Sequence, residues 1–123
     1  MMIEVSNGEI VDKYTILCIK GKKIQDDEKL KNINNEKNSL QKIVHDIIDT
    51  SSELFSAIME INEKLWNIED SIREKEKVKE FDGEFIKLAR SVYYTNDLRA
   101  ELKKKININS NSNFVEEKSY EQY

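Results

Sequence analysis

At 123 residues the chain is expected to form one domain around one small core. Hydrophobic residues make up 38% and charged residues 36%, with no proline and three glycines, which favours amphipathic helices and excludes a turn-rich all-β fold. The net charge of −4, with 20 basic and 24 acidic residues interspersed, lacks the dominant basic face of a nucleic-acid binder, so no nucleic-acid partner is expected.

Met2 to Val5 reads as a short extended lead-in. Ser6 and Glu9 then form the Ser-x-x-Glu pattern of a capping box, in which the serine hydroxyl accepts from the third helical amide and the glutamate reaches back. The stripe of this first helix is Ile10, Tyr14, Leu17, Gly21 and Ile24, flanked by Val11 and Cys18, with Gly21 expected to admit a close neighbour. Cys18, the single cysteine, lies among Ile16, Leu17 and Ile19 and is expected to be a small buried core residue. The helix is expected to fade through Gln25, Asp26 and Asp27, which offer a cap to the next.

From Leu30 an alternation of three and four runs through Ile33, Lys37, Leu40, Val44, Ile47, Ser51, Leu54, Ile58, Ile61, Leu65, Ile68 and Ile72. Unbroken, it permits one helix over residues 27–78 about 75 Å long, which implies a coiled-coil dimer. Thr50 with Glu53 is a second capping-box pattern, however, and Asp49, Thr50, Ser51 and Ser52 are weak helix formers that favour a turn. Periodicity leaves both readings open.

Asp82 is a good N-cap, and Phe81 with Ile86 has the spacing of a hydrophobic staple. The last helix is expected from about Gly83 to Ile106, with Lys103, Lys104 and Lys105 complementing the dipole at its C-terminus. Residues 1–106 thus form the helical domain. Residues 107–123 form a polar loop and a C-terminal tail that packs back, with Phe114 and Val115 as its apolar anchor. The fold class is all-α: a small four-helix antiparallel bundle, or a helical hairpin with long heptad helices and an extended C-terminal tail.

On the last helix the core face is Phe85, Leu88, Val92, Thr95, Arg99, Leu102 and Ile106. Arg99 therefore sits where a core residue belongs, and a buried guanidinium needs acceptors from the chain or from a ligand. The helix containing Trp66 carries an adjacent row, Phe55, Met59, Asn62, Trp66, Glu69 and Arg73, that turns polar toward its end. If the two helices form an antiparallel hairpin about Lys79 to Asp82, facing residues have numbers summing to about 160. Glu69 then meets Arg90, Trp66 meets Tyr93 or Tyr94, and Asn62 meets Asp97 and Arg99, while a neighbouring row adds Asn96.

This constellation has two readings. In the structural one it is an ionic network fixing helix register, with Glu69 pairing with Arg90, and Asp97 or Asn62 satisfying Arg99. In the functional one it is a ligand site of Asn62, Trp66, Glu69, Arg73, Arg90, Tyr93, Asn96, Asp97, Arg99 and Lys118. There Arg90, Asn96, Arg99 and Lys118 contact an anion while Trp66 or Tyr93 packs on its ring. No catalytic residue is expected, because the set holds no histidine and no nucleophile with its base. His45 with Asp49 has helical metal-ligand spacing, but two ligands make a poor site, so His45 is expected to be solvated and no metal or cofactor is expected. No stretch approaches 18 apolar residues, so no membrane span is expected, and the location is expected to be cytoplasmic, or the host cytoplasm or virion for a viral chain.

Several blocks resemble an uncharacterised family of small helical proteins of bacteria and viruses. They are Val5 to Glu9 with Asp12-Lys13 and Thr15-Ile16-Leu17, Leu65-Trp66-Asn67-Ile68-Glu69-Asp70, Phe85 to Ala100 (FIKLARSVYYTNDLRA), and Val115 to Tyr120 (VEEKSY). The resemblance covers nearly the whole chain and is weakest from Asn32 to Ser52. It implies a helical domain, an ordered tail and a polar centre including Glu69, Asp70, Arg73, Arg90, Tyr93, Asn96, Asp97 and Arg99, together with the ending Glu116, Glu117, Lys118. It also implies a setting near glycan-assembly genes, and prolines that relatives carry near the second junction favour a break at Asp49 to Ser52. The family supplies no activity. The functional expectation is a non-enzymatic helical interaction or scaffold module, self-associating as a homo-oligomer or docking a partner protein. The alternative is a binding domain for an anionic small molecule: a phosphate, carboxylate or nucleotide sugar. A small helical mutase or lyase is a third class, for which no spacing matches.

Overall fold

The computed structural model describes residues 1–123. It contains four helices: α1 (Asn7–Lys23), α2 (Asp27–Ile47), α3 (Glu53–Lys77) and α4 (Gly83–Asn109). They form an all-α bundle in which α3 and α4 make a hairpin, α1 lies against both, and the backbone of α2 approaches α1 alone. α1 is therefore central, and it is buried over far more than one stripe: Gly8, Val11, Asp12, Tyr14, Thr15, Leu17 and Ile19 are all inside. A helix touching three others needs such wide burial. Val11 and Tyr14 join Val44, Phe55, Ile58 and Ile106 in the core, with Leu40, Ile47, Leu54 and Leu102 packed around them. No helix is long and apolar enough to cross a membrane.

The long heptad run is broken. Ile48 is extended, the Asp49 carboxylate accepts from the Ser51 amide at 2.9 Å and the Ser51 hydroxyl at 2.7 Å, and a new helix starts at Glu53. Its cap is Ser52, accepting from the Phe55 amide at 3.2 Å, rather than Thr50. The single 75 Å helix is thereby replaced by two, of 21 and 25 residues.

The caps on the other helices are legible. Ser6, Asp26 and Asp82 accept from the amides of Glu9, Lys29 and Phe85. α3 and α4 both end in Schellman motifs with left-handed residues, Lys79 at φ 58° and Asn111 at φ 54°.

Five local expectations are corrected. The Glu9 carboxylate does not turn back onto its own helix but takes the Lys103 ammonium at 2.6 Å. Gly21 is exposed, with nothing near the place of a Cβ; the close approach is at Gly8, where a Cβ would lie 2.5 Å from the Lys103 carbonyl oxygen. Phe81 packs edge-on against Phe85, not Ile86. Cys18 is half-buried at the edge of the core. α4 runs three residues past Ile106, because the expected loop begins with Asn107, which is itself buried and makes a tertiary contact.

That contact belongs to the docking of α1 onto the end of α4. The first free amides of α1 are met in turn: Asn7 donates to Ser112 Oγ at 2.9 Å, Gly8 to Asn107 Oδ1 at 2.6 Å, and Glu9 to Ser6 Oγ at 3.1 Å. The tail then runs back along α4. Glu116 accepts from Ser6, Glu117 pairs with Lys104 at 3.0 Å, and Tyr123 donates to Asp97. Phe114 and Val115 remain 48% and 40% exposed, so polar contacts, not an apolar anchor, hold the tail.

Candidate functional site

Arg99 is paired from α1 along one edge. Its Nε donates to Asp12 Oδ1 at 2.9 Å and its Nη2 donates to Oδ2, a bidentate fork. Asn62 on α3 donates to Asp12 Oδ1 and to Thr15 Oγ1, both at 2.8 Å, and Thr15 in turn donates to the Asp12 carbonyl at 2.7 Å. Asp12, Thr15 and Asn62 are buried, and no buried side-chain nitrogen or oxygen lacks a partner. Hydrogen bonding to Asp12 raises the Arg99 pKa further, outweighing the opposite effect of burial.

The Asp12 side chain is 1% exposed and that of Arg99 is 29% exposed. The difference arises because Asp12 holds only one edge of the guanidinium. The edge formed by Nη1 and the second hydrogen of Nη2 has no acceptor in the protein and is open.

Arg99 and Asn96, one turn apart, both line two cavities. The larger, of about 490 Å³, lies between α1, α3 and α4; Ile16, Ile19 and Leu65 are its apolar lining, and Trp66, Glu69, Asp70 and Arg73 also line it. Glu69 and Arg73 face each other at 3.5 Å. The smaller, of about 60 Å³, is lined by Arg99, Lys103, Lys104 and Lys118 with Glu116, Asn107, Asn96 and Ala100. Within it Lys103 is engaged by Glu9 and Lys104 by Glu117, whereas Lys118 has no carboxylate partner and its ammonium lies 5.7 Å from the centroid of the Tyr120 ring.

Of the residues expected at the site, Asn62, Trp66, Glu69, Arg73, Asn96 and Arg99 line the larger cavity, and Lys118 joins Asn96 and Arg99 at the smaller. Arg90, Tyr93 and Asp97 line neither. Arg90 is exposed, with its pKa raised by Tyr93 and Tyr94. Tyr93 and Tyr94 cluster with Tyr123, and Asp97 accepts from the Tyr123 hydroxyl. The expected Glu69–Arg90 pair is absent, and neither Asp97 nor Asn62 is the acceptor for Arg99. The cause is angular: at about 100° per residue, Asn96 lies about 60° from Arg99 around the helix, but Tyr93 about 120°, Asp97 about 160° and Arg90 about 180°. Hairpin register fixes height along the axis, not direction from it.

The residue that sequence reasoning missed is Asp12. A second row on α1, Gly8, Asp12, Thr15 and Ile19, keeps the same alternation of four and three and is buried throughout. No group of three or more histidine, cysteine, aspartate and glutamate side chains is placed to hold a metal ion.

The fold and the cavity define a small all-α domain with an arginine locked from within on one edge and open on the other. The chain belongs to DUF6165, a family of unknown function, whose model matches residues 1–123. No curated protein and no solved structure matches the chain.

Proposed function

We propose that the domain binds an anionic small molecule at the open edge of Arg99. The observation that carries this is the division of the guanidinium: one edge is fixed by a buried carboxylate and the other has no acceptor, while Arg99 and Asn96 together line two cavities. Pre-fixing the side chain lowers the ordering cost of binding, and the fork geometry suits a carboxylate or phosphate. Trp66 and the apolar residues beside it supply the wall that a ligand body needs.

Thermal unfolding in inorganic phosphate, against chloride at equal ionic strength, tests the proposal. A ligand that binds only the folded chain stabilises it by about 2.7 kcal/mol at a hundredfold excess over Kd. The melting temperature should rise with phosphate in the native chain and not in Asn96→Leu. Equal melting in both salts would remove the proposal.

A second reading, self-association or partner docking, is favoured by a different observation. Ile86, Tyr93, Tyr94 and Leu98 on α4 are all exposed, with Val78 and Phe81 in the preceding turn. The heptad residues Ile33, Val44, Ile58 and Ile68 are buried within the chain, so α4 supplies the free surface. A sedimentation coefficient that rises with concentration, and falls back in Leu98→Glu, is the expected result; a concentration-independent monomer would remove this reading.

A further inference from the structure

The two cavities at Arg99 differ in size and in charge, and both differences bear on what fills them. The smaller has about 60 Å³, several times the roughly 10–15 Å³ that one water needs on the same measure, which is room for a small oxyanion. Ala100 is its only apolar lining residue. Its cations are not all free: Lys103 faces Glu9 and Lys104 faces Glu117. Lys118 alone among the lining cations lacks a carboxylate partner, while Arg99, paired with Asp12, keeps N–H donors on its outer edge. Glu116, the anionic wall, is held by the Ser6 hydroxyl with Lys103 nearby at 3.9 Å. One unpaired ammonium beside the outer N–H groups of Arg99 and the Asn96 amide suits the three acceptor oxygens of a phosphomonoester better than the two of a carboxylate.

The larger cavity is balanced in charge, with Glu69 and Asp70 against Arg73 and Arg99. Glu69 is shared with Arg73, and Asp70 has no cation partner. Carboxylates at that end repel an anion and accept hydrogen bonds from hydroxyl or amine groups. Trp66 offers an amphipathic indole beside them.

We infer that the ligand is the phosphomonoester of a polyhydroxylated compound, a sugar or polyol phosphate, with its phosphate between Arg99, Asn96 and Lys118 and its hydroxyls toward Glu69 and Asp70. This rests on the anion-binding reading above and adds the ligand class and its orientation. Arg99 and Asn96, which line both cavities, mark the point where the ester oxygen joins the two halves.

Isothermal titration of the full chain with inorganic phosphate, a hexose 6-phosphate, the parent hexose and a hexuronate, at constant ionic strength, tests the inference. The hexose phosphate should bind at least tenfold more tightly than inorganic phosphate or the hexuronate, and the hexose alone should not saturate. Asp70→Asn should weaken the hexose phosphate at least threefold and leave inorganic phosphate unchanged, whereas Lys118→Ala should weaken both phosphates. Both positions are exposed, and circular dichroism of the variants should match the native chain. A hexuronate that binds as tightly as the hexose phosphate, or an Asp70→Asn variant that keeps the full preference, would overturn the inference while leaving anion binding in place. No saturable heat with any of the anions would overturn both.

Discussion

Asp12 and Arg99 hold each other where neither is tolerable alone. Removing one partner from a buried ion pair costs about 3–5 kcal/mol, whereas replacing both with apolar residues is often neutral or stabilising. Asp12→Ala should therefore lose stability on that scale in urea denaturation, and Asp12→Leu combined with Arg99→Met should recover most of it. A double variant no better than the single one would mean that the pair is not the source of the loss. The glycines make a second contrast. Gly8→Ala drives a methyl onto the Lys103 carbonyl and should cost about 1–3 kcal/mol, while Gly21→Ala meets open space inside a helix and should gain about 0.5–1 kcal/mol. Arg99 was legible in the sequence because a charge interrupts an apolar stripe. Asp12 was not, because its row contains a glycine, a threonine and one isoleucine, and a stripe chosen for hydrophobicity passes it by.

At the scale of elements, capping decides what periodicity leaves open. The heptad phase from Leu30 to Ile72 survives the turn at Ile48 to Ser52 because both halves bury their stripes in the same bundle, so the pattern carries no mark of the break. What breaks the chain is local: the Asp49 carboxylate bonding Ser51, and Ser52 capping α3. The α3–α4 turn relies on a similar device with a pH signature. Asp82 is held below its ordinary 3.8 by the Phe85 amide and by Lys75. Lys75 is raised above 10.5 by Glu80 and Asp82. A lowered acid stabilises above its unfolded value and loses that effect as pH falls, and a raised base loses its effect as pH rises. The turn should therefore be tightest between 3.8 and 10.5 and loosen on either side of that window. Amide exchange at Phe85 and Ile86, corrected for its intrinsic pH dependence, should show protection falling below 3.8 in the native chain and already reduced at neutral pH in Asp82→Ala. Protection unchanged across that range would contradict the account.

In the whole molecule, α1 is the organiser: it touches every other helix, and its N-terminus is capped by side chains lying 99 and 105 positions away. Those long-range caps explain why residues 107–113, a polar run that reads as a loop, begin as helix and carry tertiary structure. They also fix the height of α4 on α1, and with it the meeting of Arg99 and Asp12. The four-helix architecture and the shared level of Asn62, Trp66, Asn96 and Arg99 follow from pattern and hairpin register. The direction each side chain takes around its axis depends on packing that only the assembled bundle supplies. The account stands on the open edge of Arg99, and the most direct measurement reads that side chain itself. In proton–nitrogen spectra of the labelled chain titrated with phosphate at constant ionic strength, the Arg99 Nε–H and the Asn96 amide should shift together along one saturating isotherm. Shifts spread without saturation over exposed lysines such as Lys31 and Lys42, with Arg99 unmoved, would contradict it.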